Sequence, residues 1–191
     1  MIGHLNGRLV EKNPTEVVIE CGGVGYEVKI SLNTFAQLGS EESIRLFTRL
    51  VVREDAHILY GFSTKEEREM FSHLVSVSGI GPNTAMIMLS SLVPDEIAHA
   101  IQSEDVRTIQ SIKGIGAKTA QRVIIDLKDK MIKMVFSNEN IFSQNNTNRF
   151  EALTALLSLG FDKKSAEKAI DKISTGEESV EQLIKGALKI L

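Results

Sequence analysis

The stretch "IQSIKGIGAKTAQRVI", residues 109–124, holds a glycine hairpin followed at once by a lysine, a threonine and a helical run. Glycines ahead of Lys-Thr cradle nucleotide phosphates in one kind of protein; in another, a glycine turn at a helix start grips a single backbone phosphate. The nucleotide motif fails here on spacing. It requires glycine, four residues, then Gly-Lys-Ser/Thr, but Ala117 stands at the second glycine and Ile112 at the first. It also requires a buried strand in front, whereas Val106, Ile109 and Ile112 recur every three residues, a helical pattern.

The same stretch occurs twice. "LVSVSGIGPNTAMIML" at 74–89 aligns with 109–124 without a gap, thirty-five residues apart. The alignment pairs Leu74 with Ile109, Val77 with Ile112, Gly79 with Gly114, Ile80 with Ile115, Gly81 with Gly116, Thr84 with Thr119 and Ala85 with Ala120. Each copy reads as helix, Gly-Ile-Gly hairpin, helix. The glycines tolerate positive φ and leave room for close approach, the isoleucine turns inward, and the alanine lets two helices pack closely. Backbone N–H groups at the following helix start, together with the helix dipole, make an anion site that holds phosphate without reading bases. Lys118 and Arg122, four apart, lie on one face and add charge to the second copy. A plain tight turn between helices accounts for one such copy; two copies, one followed by Lys and Arg, point to phosphate-backbone binding.

Ahead of the repeats the chain alternates with a period of two. "HLNGRLVEKN", "EVVIEC", "YEVKIS", "SIRLFTRLVV" and "HILYGF" read as five strands, with a short helical "LNTFAQLG" after the third. That order fits an oligonucleotide/oligosaccharide-binding (OB) barrel, and another small β-barrel fits it too. "GGVG" at 22–25 joins two strands rather than opening a helix, so it is a hairpin and not a dinucleotide fingerprint. At Phe62 the period changes to about 3.6. Ser63 and Thr64, each with a Glu three residues later, offer two capping boxes, and Pro94 opens a further helix. The longest helix is expected from about Ala117 to Phe136, with Asp126 and Lys130 able to pair. "SNENIFSQNNTNR", 137–149, lacks a hydrophobic period and reads as a flexible linker. Residues 150–191 give about three short helices, with Gly160 as a left-handed cap.

The composition, 42% apolar and 25% charged over 191 residues, is that of a globular chain. No apolar run reaches bilayer length and the N-terminus has no secretory pattern, so a cytoplasmic protein is expected. The lone Cys21 allows no internal disulfide and reads as a small buried hydrophobe; the four histidines have no ligand spacing. A net charge of -3 excludes a uniformly basic nucleic-acid binder. Residues 63–136 balance nine Lys/Arg against nine Asp/Glu, yet Arg107–Lys118 holds three cations and no anion. Polyanion binding is therefore expected to be local.

Paired hairpins after a five-stranded barrel, "VVREDAHILYGF" at 51–62 and a small helical tail behind a polar linker together resemble the RuvA family, Holliday-junction-binding subunits of the bacterial branch-migration machine. The resemblance covers all three segments. It implies an α+β multidomain protein: OB-fold barrel at 1–62, tandem helix-hairpin-helix domain at 63–136, linker at 137–149 and a three-helix, ubiquitin-associated-like module at 150–191. It implies a homotetramer, or an octamer of two such tetramers, that binds four-way junction DNA without sequence preference in recombination, repair and the SOS response. On this chain the contacts fall on Gly79, Gly81, Asn83 and Thr84, and on Gly114, Gly116, Lys118, Thr119 and Arg122. Family members often carry a basic residue in place of Asn83, which weakens the first hairpin on this expectation. The chain has no ATPase site and needs no cofactor. The resemblance supplies ATP-driven movement through RuvB, contacted by the C-terminal module, and adds the resolvase RuvC as a partner. Leu156, Leu159, Phe161, Leu183 and Leu188 are candidates for the RuvB contact and equally for core.

Glu54 and Asp55 fall between two strands, where an ordinary solvated turn accounts for them. Catalysis does not: neighbouring residues on a strand point to opposite faces, and no third carboxylate is near in sequence to complete a two-metal site. The resemblance implies instead that four such tips meet as acidic pins at the junction centre. Two other classes stay open at this point. A helix-hairpin-helix glycosylase or nuclease would need a carboxylate beyond the hairpin, which "MIKMVFSN" at 131–138 lacks, and a nonspecific duplex-binding scaffold would use the same hairpins.

Overall fold

The computed structural model describes residues 1–39, 41–139, 144–174 and 178–191. They form two compact units, Met1–Ile132 and Lys133–Leu191.

In the first unit, strands β1 (His4–Asn13), β2 (Glu16–Cys21), β3 (Val24–Ile30), β4 (Ser43–Val52) and β5 (His57–Phe62) close a barrel in the order β1-β2-β3-β5-β4. All pairings are antiparallel except β3 with β5. A parallel pair needs a crossover, and the short helix α1 (Leu32–Gln37) lies on that path. Alternation decides the interior: Val17 and Ile19 on β2 are fully buried with Val28 and Leu46, while Glu16, Val18 and Glu20 face outward. Gly22 and Gly23, both at positive φ, make the two-residue hairpin between β2 and β3. At Gly7 the requirement is space, since a Cβ there would lie 2.1 Å from the Glu20 carbonyl oxygen. Cys21, expected inside, is only partly buried, and its Sγ sits 3.4 Å from the Asn6 carbonyl.

Helix α2 (Lys65–Val75) packs across β4 and β5, with Phe71 5.0 Å from the Tyr60 and Phe62 rings. Of the two capping positions, Thr64 is the N-cap, its hydroxyl accepting from the Glu67 N–H at 3.1 Å. The Glu67 carboxylate does not turn back to close the box. It is 2% exposed and accepts from the hydroxyls of Ser31, Thr34 (2.6 Å) and Ser63 (3.3 Å). A buried carboxylate is tolerated where hydroxyls replace its water, and these hydroxyls come from the barrel side. Asn33 on α1 donates to the Leu89 and Leu92 carbonyls, capping the end of α3 (Pro82–Ser91). Barrel and helices are thus joined by polar contacts as well as by the aromatic stack.

The unit continues through α4 (Pro94–Gln102), opened by Pro94 as expected, α5 (Val106–Gln110) and, as far as Ile132, α6 (Ala117–Glu139). Lys130 on α6 does not pair with Asp126; its ammonium reaches Ser76 Oγ at 3.2 Å. The stretch 137–149, expected as linker, is helical at both described ends, through Glu139 in α6 and from Gln144 in α7 (Gln144–Ser158); 140–143 lie outside the described residues. It contains neither Gly nor Pro, and Asn, Gln and Ser reduce helix propensity by only about 0.5 kcal/mol each, so helices propagate into it.

In the second unit α7, α8 (Lys163–Ile173) and α9 (Val180–Ala187) enclose a core of Ala152, Leu156, Ala166, Ala169, Ile170 and Leu183. Gly160, at φ +97°, ends α7 as expected, and the Phe161 N–H returns to the Leu156 carbonyl at 3.2 Å. Asp162 caps α8, and its hydrogen bonds from the Ser165 hydroxyl and N–H hold its carboxyl below the usual range. No helix among the described residues is long and apolar enough to cross a membrane.

Candidate nucleic-acid interface

The two hairpins are built alike to the level of single hydrogen bonds. Ile80 N–H reaches the Val77 carbonyl at 3.0 Å and Ile115 N–H reaches Ile112 at 3.1 Å; Ala85 bonds Gly81 at 3.0 Å and Ala120 bonds Gly116 at 2.9 Å. Ile80 and Ile115 are buried, as the repeat implied. The glycines divide their work. Gly79 and Gly114 hold φ of +95° and +89°, which an L side chain rarely adopts. Gly81 has an ordinary φ of -85°, so the positive φ that glycine tolerates is used only by the first glycine of each pair. A Cβ at Gly81 or Gly116 would meet no atom within 4 Å and would project into open space beside the helix start. The second glycine therefore keeps the approach to the helix N–H groups clear.

Those groups differ between copies. Pro82 removes one donor from the start of α3, leaving the Asn83 and Thr84 N–H groups, while α6 begins with Ala117, Lys118 and Thr119, each carrying its own. Asn83 is exposed but anchored: the Tyr60 hydroxyl donates to its Oδ1 at 3.3 Å. With its oxygen engaged, the amide keeps its NH2 as a donor. Sequence reasoning treated Tyr60 as a strand residue only, because its alternation carries no sign of a partner twenty-three residues on.

Lys118 and Arg122 are exposed on α6. Arg122 reaches the first hairpin, its Nη1 lying 3.4 Å from the Ser78 carbonyl. With Lys130 on Ser76, α6 ties its own hairpin to the other. Among the described residues no Asp or Glu forms an ion pair with Lys113, Lys118 or Arg122. Nearby acids are occupied elsewhere: Asp105 caps α5, and its bonds from the Thr108 hydroxyl and N–H hold its carboxyl low, while Glu104, at φ 56°, pairs with Lys128. The result is a positive ridge with two sets of free backbone donors, which can hold two phosphates a fixed distance apart.

Glu54 and Asp55 stand exposed at the tip of the β4–β5 hairpin, where the Arg53 N–H bonds the Ala56 carbonyl at 2.8 Å. Among the described residues no group of three or more His, Cys, Asp or Glu is arranged to hold a metal. In the second unit Leu156 and Leu183 are core, whereas Leu159 and Leu188 are 61% and 42% exposed and Phe161 is partly buried. Of the two readings open for these residues, partner contact or core, Leu156 and Leu183 take the core one and hold the helices together.

Fold and site define a class: a tandem helix-hairpin-helix protein built onto an OB-fold barrel. Residues 1–61 match the family described as "RuvA N terminal domain", 71–129 the "SAM-like Helix-hairpin-helix tandem" and 147–191 the "RuvA, C-terminal domain". Proteins named "Holliday junction branch migration complex subunit RuvA" from Christiangramia forsetii and Flavobacterium psychrophilum are each 56% identical over 193 residues, and one from Cytophaga hutchinsonii is 50% identical over 198, all covering 100% of both chains. The chain belongs to the RuvA family.

Proposed function

We propose that this chain is the non-catalytic subunit that recognises four-way junction DNA in a branch migration complex, holds it open and recruits the RuvB ATPase. The observation that carries this reading is the pair of hairpins with matching hydrogen bonds, each offering N–H donors at a helix start, in a chain alike over its full length to subunits of that name. Gly79, Gly81, Asn83 and Thr84 grip one stretch of backbone; Gly114, Gly116, Lys118, Thr119 and Arg122 grip another. Because backbone donors contact phosphate, recognition is of shape rather than base sequence. The stronger grip belongs to the second hairpin, which has Lys118 and one more N–H than the first.

Four subunits, or eight, surround the junction in this reading, with Glu54 and Asp55 as acidic pins at its centre. Carboxylates repel phosphates there, which favours separated strands guided outward along the positive hairpins. The C-terminal module, through Leu159, Phe161 and Leu188, contacts RuvB, which hydrolyses the ATP; RuvC acts on the same junction in the cytoplasm. Binding of a four-way junction and of linear duplex at matched salt, together with native mass, tests the reading. Junction preference by an oligomer is expected. Equal affinity for both would leave a nonspecific duplex-binding scaffold, and base excision or strand cleavage would make the chain an enzyme.

A further inference from the structure

Three cations crowd one aromatic ring on the flank of the barrel, a fourth lies beside them, and none belongs to a helix-hairpin-helix motif. Arg45, Lys65 and Arg68 lie 5.2, 5.9 and 5.5 Å from the centre of the Phe47 ring. Arg49 joins Lys65 and Arg68 around an adjoining cavity of about 430 Å³. Arg68 is anchored by a 2.9 Å bond to the Gly3 carbonyl, and Glu69, on the same cavity, is turned to His73 at 3.7 Å. Among the described residues no carboxylate forms an ion pair with any of the four cations. Like charges held together repel, so such a cluster on a chain of net charge -3 fits an anionic partner.

The barrel carries the complement elsewhere. Glu11 and Glu27 are both in register with Val18, so the three side chains share the outer face of β1–β2–β3, and Glu16 lies two residues along β2 on that face. The crowding is felt: partial burial, then the charge and hydrogen bond of Glu27, push the Glu16 carboxyl above its usual range, with Lys29 opposing. Val18, partly buried between the carboxylates, gives this face an apolar centre to match Phe47.

We propose that the Arg45, Phe47, Lys65 and Arg68 face of one subunit seats the Glu11, Glu16 and Glu27 face of a second copy of this chain. The inference rests on the homo-oligomeric reading above and names the surfaces that build it. Since one face lies on β4 and α2 and the other on β1, β2 and β3, each subunit presents one and receives the other, a head-to-tail contact of the kind that closes into a ring. DNA phosphates would satisfy the cations but leave the acidic face without a partner.

The test uses the full-length chain in sedimentation velocity at low and raised salt. Arg45→Glu with Lys65→Glu, and separately Glu11→Lys with Glu27→Lys, are expected to weaken assembly at least about tenfold; all four changes in one chain are expected to restore it. The four substituted positions are all exposed, and Arg45→Gln with Lys65→Gln gives the same answer in weaker form should charge reversal disturb folding, as judged by thermal unfolding. Variants that assemble like the parent, or a fourfold variant that stays dissociated while folded, would overturn the proposal. So would a cation-reversed chain that assembles normally but loses junction affinity, since that assigns the cluster to DNA. A parental chain that is itself monomeric would instead sink the oligomeric reading, and this contact with it.

Discussion

Lys118 stands exposed on the first turn of α6 beside helix-start N–H donors and without a carboxylate partner among the described residues, and in the proposed function it meets a phosphate. Lys118→Ala is expected to weaken junction and duplex binding alike and to flatten the dependence of log affinity on log salt by roughly 0.9, one phosphate contact. An unaltered slope would mean that Lys118 touches no phosphate. Glu54 and Asp55 predict the opposite sign. Replacing Glu54→Gln and Asp55→Asn removes repulsion at an exposed hairpin tip without touching the core, so junction affinity is expected to hold or rise while the rate of RuvB-driven branch migration changes. Unchanged migration at unchanged salt dependence would remove the pins from the mechanism. The local structure at both positions was legible in the sequence, because a helix start and a strand-to-strand turn are each set within a few residues.

At the scale of the element, α2 carries a titratable group directly behind the first hairpin. His73 accepts at its carbonyl both the N–H and the hydroxyl of Ser76, at 3.1 and 2.6 Å. Burial pushes its imidazole below the ordinary value of 6.5; Glu69 opposes this and Lys130 adds to it. With the folded-state value depressed, the unfolded chain binds the proton more readily. The stabilisation is therefore complete above about 6.5 and lost as pH falls through the folded value. Thermal unfolding of the parent is expected to lose stability on acidification below that point relative to His73→Asn; parallel curves would dispose of the idea. The helices themselves were legible from capping residues and a 3.6 period. The extent of α6 and α7 was not, because a polar stretch without Gly or Pro gives no periodicity signal yet does not stop a helix.

Across the first unit as a whole, Glu67 joins barrel to helices. Glu67→Ala would leave the hydroxyls of Ser31 and Thr34 buried without their acceptor, a loss of about 3 kcal/mol and on the order of 10 °C in melting midpoint. Glu67→Gln keeps one acceptor oxygen and is expected to lose less. Calorimetry checks both, and a melt of Glu67→Ala matching the parent would show that the Glu67 hydroxyl cluster does not couple the two parts.

The sequence by itself determined the duplicated hairpin, the five strands and their turns, the acidic tip and the three-part order of the chain. Each of these is written in periods of two or 3.6, or in residues that a turn requires within a few positions. Only the tertiary structure decided that Arg122 spans to Ser78, that Tyr60 orients Asn83, that Glu67 turns to the barrel rather than to its own helix start, and that Leu156 and Leu183 lie inside while Leu159 lies outside. The first three join residues 44, 23 and 36 positions apart, and the fourth depends on which side of a helix its neighbours cover. Such contacts are selected by how whole elements pack, through burial and the need to satisfy buried polar groups, and no local pattern along the chain encodes them.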